Sequence, residues 1–218
     1  MKVLKILSID IGISNLGYVY AQIDFPEINN SSKYKNLKNN ESYRFNNYLK
    51  VIDCNRVNIT KVKHHRVKRC DCNLLHENCI PDYLDHFIQE NIYFEQCDLL
   101  LIERQPPVGI TNVQDLLFTK FRNKVLLISP NSVHKYFGLS TCYETRKVET
   151  EGISKDYLEN FDSFNNNIRK HDIADALCMI LFYYKTELDK LINSTIYTKE
   201  INDFEQFRFN FLPKINLP

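Results

Sequence analysis

Apolar residues along this chain fall into short continuous runs and longer stretches of helical period, and their alternation outlines an α/β protein. The run 3–11 (VLKILSIDI) has the composition of a central strand, with Asp10 near its C-terminal end. Gly12 and the stretch Asn15 to Gly17 punctuate the chain before a second strand over 18–23, so a tight hairpin is expected. The Asn-rich stretch 26–47 reads as a long loop at a hairpin tip, and 48–54 as the returning third strand. Pro81 opens a helix whose apolar positions Ile80, Leu84, Phe87, Ile88 and Ile92 follow the helical period. The segment 98–102 (DLLLI) is then a short buried strand that delivers Glu103 at its end, where Gln105, Pro106 and Pro107 stop it.

Farther along, 111–121 can form a helix and 124–129 (KVLLIS) a buried strand halted by Pro130. Asn131 or Ser132 is placed to cap a short helix through Phe137. The segment 138–169 is polar, highly charged and holds two glycines, so irregular structure is expected there. The strongest helix covers 172–188, with Ile173, Leu177, Ile180, Leu181 and Tyr184 on its packing face. This order predicts a mixed sheet flanked by helices, one domain over 1–193 interrupted by an insertion at about 24–80, and a Phe-rich C-terminal tail over 194–218.

Composition narrows the picture only slightly. A chain of 218 residues with 44% hydrophobic content can bury one sizeable core. Its apolar runs are too short to span a bilayer, so no membrane association is expected. The chain enters directly into a strand, with no basic region followed by an apolar stretch and a cleavage site, and its seven cysteines cluster only around 70–79. An intracellular, reduced protein is the expectation. Lysine and arginine (28) nearly balance aspartate and glutamate (27), so bulk charge does not announce a nucleic-acid partner. Local pattern must carry that argument. Lys61, Lys63, Arg66, Lys68 and Arg69, with His64 and His65 among them, form the one dense basic patch, either a phosphate-contacting surface or a solvated loop.

Four acids occur where the apolar context predicts burial: Asp10 and Glu103 at strand ends, and Asp172 and Asp175 on the first turn of the long helix. Residues three apart on a helix share a face, so the last two carboxylates point the same way. If that face meets the ends of both strands, all four converge. Each acid alone also fits a turn, a cap or a partner for the helix dipole. Jointly, buried carboxylates of one sign need protons or cations, and hard oxygen donors suit Mg²⁺ or Mn²⁺. Two such ions about 3.5–4 Å apart can activate water and stabilise the leaving oxygen of a phosphodiester, which is nuclease chemistry.

The strings SIDIGISNLG (8–17), LLIERQ (100–105), ISPNSVHKYFG (128–138), YETRK (143–147) and HDIADAL (171–177) resemble, in order, the motifs of the poxvirus-type Holliday junction resolvases, enzymes similar to bacterial RuvC and the fungal mitochondrial resolvases. The resemblance runs from 3 to 188 apart from the Asn-rich insertion. It implies a ribonuclease H-like fold, and a Mg²⁺-dependent endonuclease, for which Mn²⁺ can substitute, that acts as a homodimer nicking symmetrical strands of a four-way DNA junction. It also implies Asp10, Glu103, Asp172 and Asp175 as metal-binding catalytic acids. Lys147 is implied beside the scissile phosphate, where a fixed ammonium stabilises developing negative charge, with Arg146 and Lys135 as neighbouring cations able to contact DNA. His171 departs from the pattern, since many relatives carry an acid or a lysine there.

The host cytoplasm of a virus is the compartment this resemblance implies first, a mitochondrion second. Longer viral relatives carry similar Cys/His segments. Cys70, Cys72, His76 and Cys79 can be read as a structural Zn²⁺ site, although C-x-C-x₃-H-x₂-C is not a standard finger spacing and reduced loop cysteines read equally well.

Two other functions fit parts of the sequence. An ATP-dependent kinase of the actin-like superfamily begins with a similar Asp-x-Gly hairpin, but five glycines leave no second Gly-rich phosphate loop and the chain is short for two such domains. A non-catalytic junction-binding protein would not need all four acids. A ribonuclease H or integrase-like enzyme would use the same acids, and the sequence leaves both open.

Overall fold

The computed structural model describes residues 2–25, 48–61 and 79–211. Five strands form one mixed sheet in the order β3-β2-β1-β4-β5. Strand β1 (Lys2–Asp10) lies at its centre, antiparallel to β2 (Leu16–Phe25) and parallel to β4 (Leu99–Glu103). The outer strands are β3 (Leu49–Val57), antiparallel to β2, and β5 (Val125–Ile128), parallel to β4. The central position of β1 explains its near-continuous apolar run, because Ile6, Leu7, Ser8 and Ile9 are all fully buried.

Alternation along β1 and β4 divides the core into two layers. Ile6 and Leu101 belong to one layer, which is completed by the last helix, α7 (Lys170–Phe211), and by α5 (Tyr143–Leu158). Leu7, Ile9, Leu100 and Ile102 belong to the other, against α1 (Ile80–Glu90), α2 (Tyr93–Gln96) and α3 (Thr111–Lys120). Asp10 lies four residues after Ile6 and Glu103 two after Leu101, so strand parity sends both carboxylates toward the α7 layer. Helix α4 (Pro130–Phe137) and the single-turn α6 (Asp162–Asn165) sit on the same side.

The strands and the helices α1, α3, α4 and α7 arise where the pattern predicts them, with shifted ends. The segment 138–169 does not. Instead of irregular structure it forms α5, whose buried side chains Thr150, Ser154 and Leu158 recur every four residues against α7. Two of those three are small and polar, so an apolar-period reading misses the stripe; Ser154 Oγ donates to the Ala174 carbonyl at 3.3 Å. Helix α1 ends at Glu90 and leaves Ile92 53% exposed, which removes it from the expected packing stripe. In helix α4 the N-cap position falls on Ser129, whose side chain makes no capping bond, and not on Asn131 or Ser132, because Pro130 opens the first turn with a helical φ and needs no N–H partner there. Helix α7 runs on past Leu188 to Phe211, so the stretch 194–211 is helical.

Candidate active site

A cleft of about 470 Å³ opens at the C-terminal ends of β1 and β4, and all four candidate acids line it. The register sets Ile9 opposite Ile102, which places Asp10 and Glu103 side by side one step further on. Asp172 and Asp175 come from the first turns of α7, which crosses the sheet at Gly17, the residue paired with Asp10 in β2. A Cβ on Gly17 would stand 2.1 Å from the Asp172 carbonyl oxygen, so only glycine lets the helix approach this closely. Gly12 is equally tight, with a would-be Cβ 2.5 Å from the Asn15 carbonyl, and holds the loop 11–15 in the hairpin that walls the cleft.

The electrostatics are those of anions forced together. Burial, the neighbouring Glu103 and Asp175 charges, a hydrogen bond with Glu103 and the Asp172 charge raise the Asp10 carboxyl well above its usual range. Burial also raises Glu103, against the opposing effect of its hydrogen bonds with Asp10 and with the Gln105 amide, which donates to Glu103 Oε2 at 2.6 Å. Asp175 is pushed up to about 7 by burial and by Glu103 and Asp172, although a hydrogen bond with Thr150 and the Arg146 charge work the other way.

Asp172 is held differently. Arg169 Nε donates to its Oδ2 at 2.9 Å and Arg169 Nη2 to its Oδ1 at 3.1 Å, a two-pronged ion pair. His171 Nε2 stands 3.3 Å from Oδ1 without forming a hydrogen bond, and burial, with the nearby Arg169 and Lys147 charges, lowers the His171 pKa despite Asp172 and Glu151. Among the described residues, no three potential ligand side chains form a cluster tight enough to hold a metal ion as they stand.

Cations line the cleft as well. Lys147 and Arg146, from the first turns of α5, both face the cleft. Lys147 Nζ sits 3.8 Å from the centre of the Tyr143 ring and 3.5 Å from Glu144, and its side chain is only 19% exposed. Arg146 packs over the same ring and reaches the Ser140 carbonyl at 3.4 Å. Lys135, by contrast, is exposed on α4 and does not line the cleft, because its place on the helix turns it away from the face carrying His134. Lys61 is exposed at the end of a 3₁₀ turn (Ile59–Lys61), also outside the cleft lining.

Lys63, Arg66, Lys68, Arg69, Cys70, Cys72 and His76 lie outside the described residues. Cys79 is a free, exposed thiol that serves as the N-cap of α1, its backbone N–H donating to Asp82 Oδ2 at 3.3 Å. Sequence reasoning missed Thr150, Arg169, Tyr143, His134 and Gln105, all of which touch or line this site. Gln105, Tyr143 and His134 sat within the quoted motif strings; nothing in the sequence marked Thr150 or Arg169.

No family model matches the sequence, and no curated protein does. Solved structures do match. The fowlpox virus resolvase in complex with its substrate Holliday junction DNA superposes with a TM-score of 0.55 at 18% identity, over 85% of this chain and 99% of the other. A second crystal structure, of the fowlpox virus Holliday junction resolvase, gives 0.51 at 16%, again over 85% and 99%. The yeast mitochondrial Holliday junction resolvase gives 0.51 at 16%, over 86% of this chain and 83% of the other. The chain therefore has the ribonuclease H-like fold of these resolvases: a mixed five-stranded sheet flanked by helices, as the sequence predicted.

Proposed function

We propose that this protein is a divalent-metal-dependent endonuclease that resolves four-way DNA junctions. The observation that carries this reading is the cleft itself: four acids from two adjacent strand ends and one helix, faced by Lys147 and Arg146, on the fold of proteins whose structures are those of Holliday junction resolvases. An actin-like kinase is not supported, since 85% of the chain is taken up by one fold that matches nearly the whole length of a single resolvase.

The donor set fits a hard dication. Burial drives three of the four carboxyls toward protonation, and like charges add to it at Asp10 and Asp175, so positive charge among them would relieve that penalty without help from soft ligands. Asp10, Glu103, Asp172 and Asp175 would hold Mg²⁺, with Mn²⁺ able to replace it, and the metal when bound would supply Lewis-acid stabilisation of the phosphodiester and a more acidic water.

The chain's own residues do the rest. Burial keeps the acids from solvating themselves, so their charge is directed into the cleft. Gln105 fixes Glu103, which limits the reorganisation needed when substrate arrives, and Thr150, whose hydroxyl donates to the Lys147 carbonyl at 3.2 Å, favours the charged form of Asp175. Lys147, restrained by the Tyr143 ring, is a fixed positive charge for the non-bridging phosphate oxygens. Arg146 adds a second cation to hold the backbone. A two-fold junction is matched by a two-fold dimer that presents one such cleft to each of two opposed strands.

Asp175→Asn tests the assignment. The variant should lose cleavage while binding a four-way junction as well as the parent or better, because it removes a ligand and one repulsive charge facing DNA. Cleavage at the parental rate would make Asp175 a structural residue only.

A further inference from the structure

The Arg169–Asp172 pair sits inside the acidic cleft but opposes the role given to Asp172. Of the four acids, Asp172 is the one whose carboxylate oxygens are both engaged by a cation of the chain, through the Nε and Nη2 prongs of a single guanidinium at 2.9 and 3.1 Å. It is 5% exposed, so water cannot readily take the place of that partner. Arg169 lies in the first turn's approach to α7, where its backbone N–H is fixed by Asn167 Oδ1 at 3.1 Å, and it also interacts with Tyr143, the residue that carries Lys147 on its ring. The backbone of Arg169 is thus anchored, while its side chain is 38% exposed and lines the open cleft. A cation placed among the acids needs an oxygen edge of Asp172 and would stand close to a permanent positive charge.

We propose that Arg169 is a latch that competes with the divalent cation for Asp172, and so sets the cation concentration at which the site loads. This rests on the reading of the four acids as metal ligands. When Arg169 holds Asp172, the buried carboxylate is neutralised and the first turn of α7 is held in place. When a dication takes the carboxylate, the fork must give up at least one prong. The opposite possibility is that Arg169 simply orients Asp172 as a ligand, with both contacts kept; then its loss would weaken cation binding.

Mn²⁺ binding to the full-length, DNA-free protein separates these cases, by titration with the free ion followed by electron paramagnetic resonance. Arg169→Gln should bind Mn²⁺ about tenfold more tightly than the parent, a change of the size expected when one charge-assisted competitor is removed. Arg169→Lys, which keeps the charge but loses the fork, should fall between them. In an Asp172→Asn background, Arg169→Gln should change the affinity little.

Thermal unfolding gives an independent readout: Arg169→Gln should melt below the parent in chelator and level with it in saturating Mn²⁺. Unchanged or weaker Mn²⁺ binding by Arg169→Gln, or the same melting deficit with and without Mn²⁺, would overturn the latch. Absence of Mn²⁺ binding by both proteins would overturn it as well, since no competitor would exist. A parent that binds Mn²⁺ but leaves four-way junctions uncut would instead sink the resolvase reading and leave the latch standing.

Discussion

Gly17→Ala is the substitution whose effect follows most directly from the geometry. The added Cβ would stand 2.1 Å from the Asp172 carbonyl oxygen and 2.4 Å from its carbonyl carbon, both backbone atoms that cannot rotate away. Ordinary contact begins near 3.4 Å, so the first turn of α7 must retreat from β2 by roughly 1.3 Å. The expected loss from such overpacking is ~1–3 kcal/mol. For a chain of this size that lowers Tm by about 2–12 °C. The larger effect is on chemistry. Because Gly17 pairs with Asp10, the retreat moves Asp172 away from Asp10 itself, and a displacement of about 1 Å at reacting groups reduces rate on the order of a hundredfold. The assay is cleavage of a synthetic four-way junction per folded molecule, beside junction affinity. Gly152→Ala is the control, since nothing lies within 4 Å of its would-be Cβ. Affinity near the parental value with a hundredfold lower rate is expected for Gly17→Ala; a parental rate would refute the claim that helix approach at Gly17 positions Asp172.

Three further outcomes are expected. In chelator, the raised Asp175 (ordinary value 3.8, pushed up to about 7) and Asp10 keep protons in the folded chain that the unfolded chain has released, so this contribution to stability is present below about pH 4 and is lost as pH rises through about 7. Melting in chelator should therefore drop between about pH 4 and 7, added Mg²⁺ should reverse the drop, and Asp175→Asn should reduce it; a pH-independent Tm would contradict the crowding of the acids. Lys147→Ala should lower the junction cleavage rate by about 10²–10³ with modest change in affinity, whereas Lys135→Ala, outside the cleft, should change the rate less than about twofold. Thr150→Val should shift the pH-rate profile of cleavage upward, because it removes a hydrogen bond that favours the Asp175 carboxylate; an unmoved profile would mean that Thr150 only packs.

The strand half of this fold was legible because buried strands advertise themselves as continuous apolar runs, and the acids at their ends, Asp10 and Glu103, stand out by interrupting them. The pair Asp172 and Asp175 was legible by helical spacing in a strongly apolar helix. Helix α5 was not, since it buries Thr150 and Ser154 and carries charge on seven of its sixteen positions, leaving almost no apolar period to read. The wall that α5 builds, with Thr150 on Asp175 and Lys147 on Tyr143, therefore became visible only once α7 was there to pack against. Arg169 was hidden for a different reason: an i, i+3 ion pair at a helix start looks like an ordinary surface pair until the burial of Asp172 is known. Gly17 read as hairpin punctuation, and its close approach to α7 is a tertiary fact that no local pattern encodes.

The most direct test incubates the protein in Mg²⁺ with a synthetic four-way junction, a three-way junction and a linear duplex of the same sequences, each strand end-labelled in turn. The account requires cuts on two symmetrically opposed strands of the four-way junction, little cutting of the linear duplex, and loss of all cutting by Asp10→Asn. Equal cutting of linear duplex, or junction cutting that survives Asp10→Asn, would contradict it.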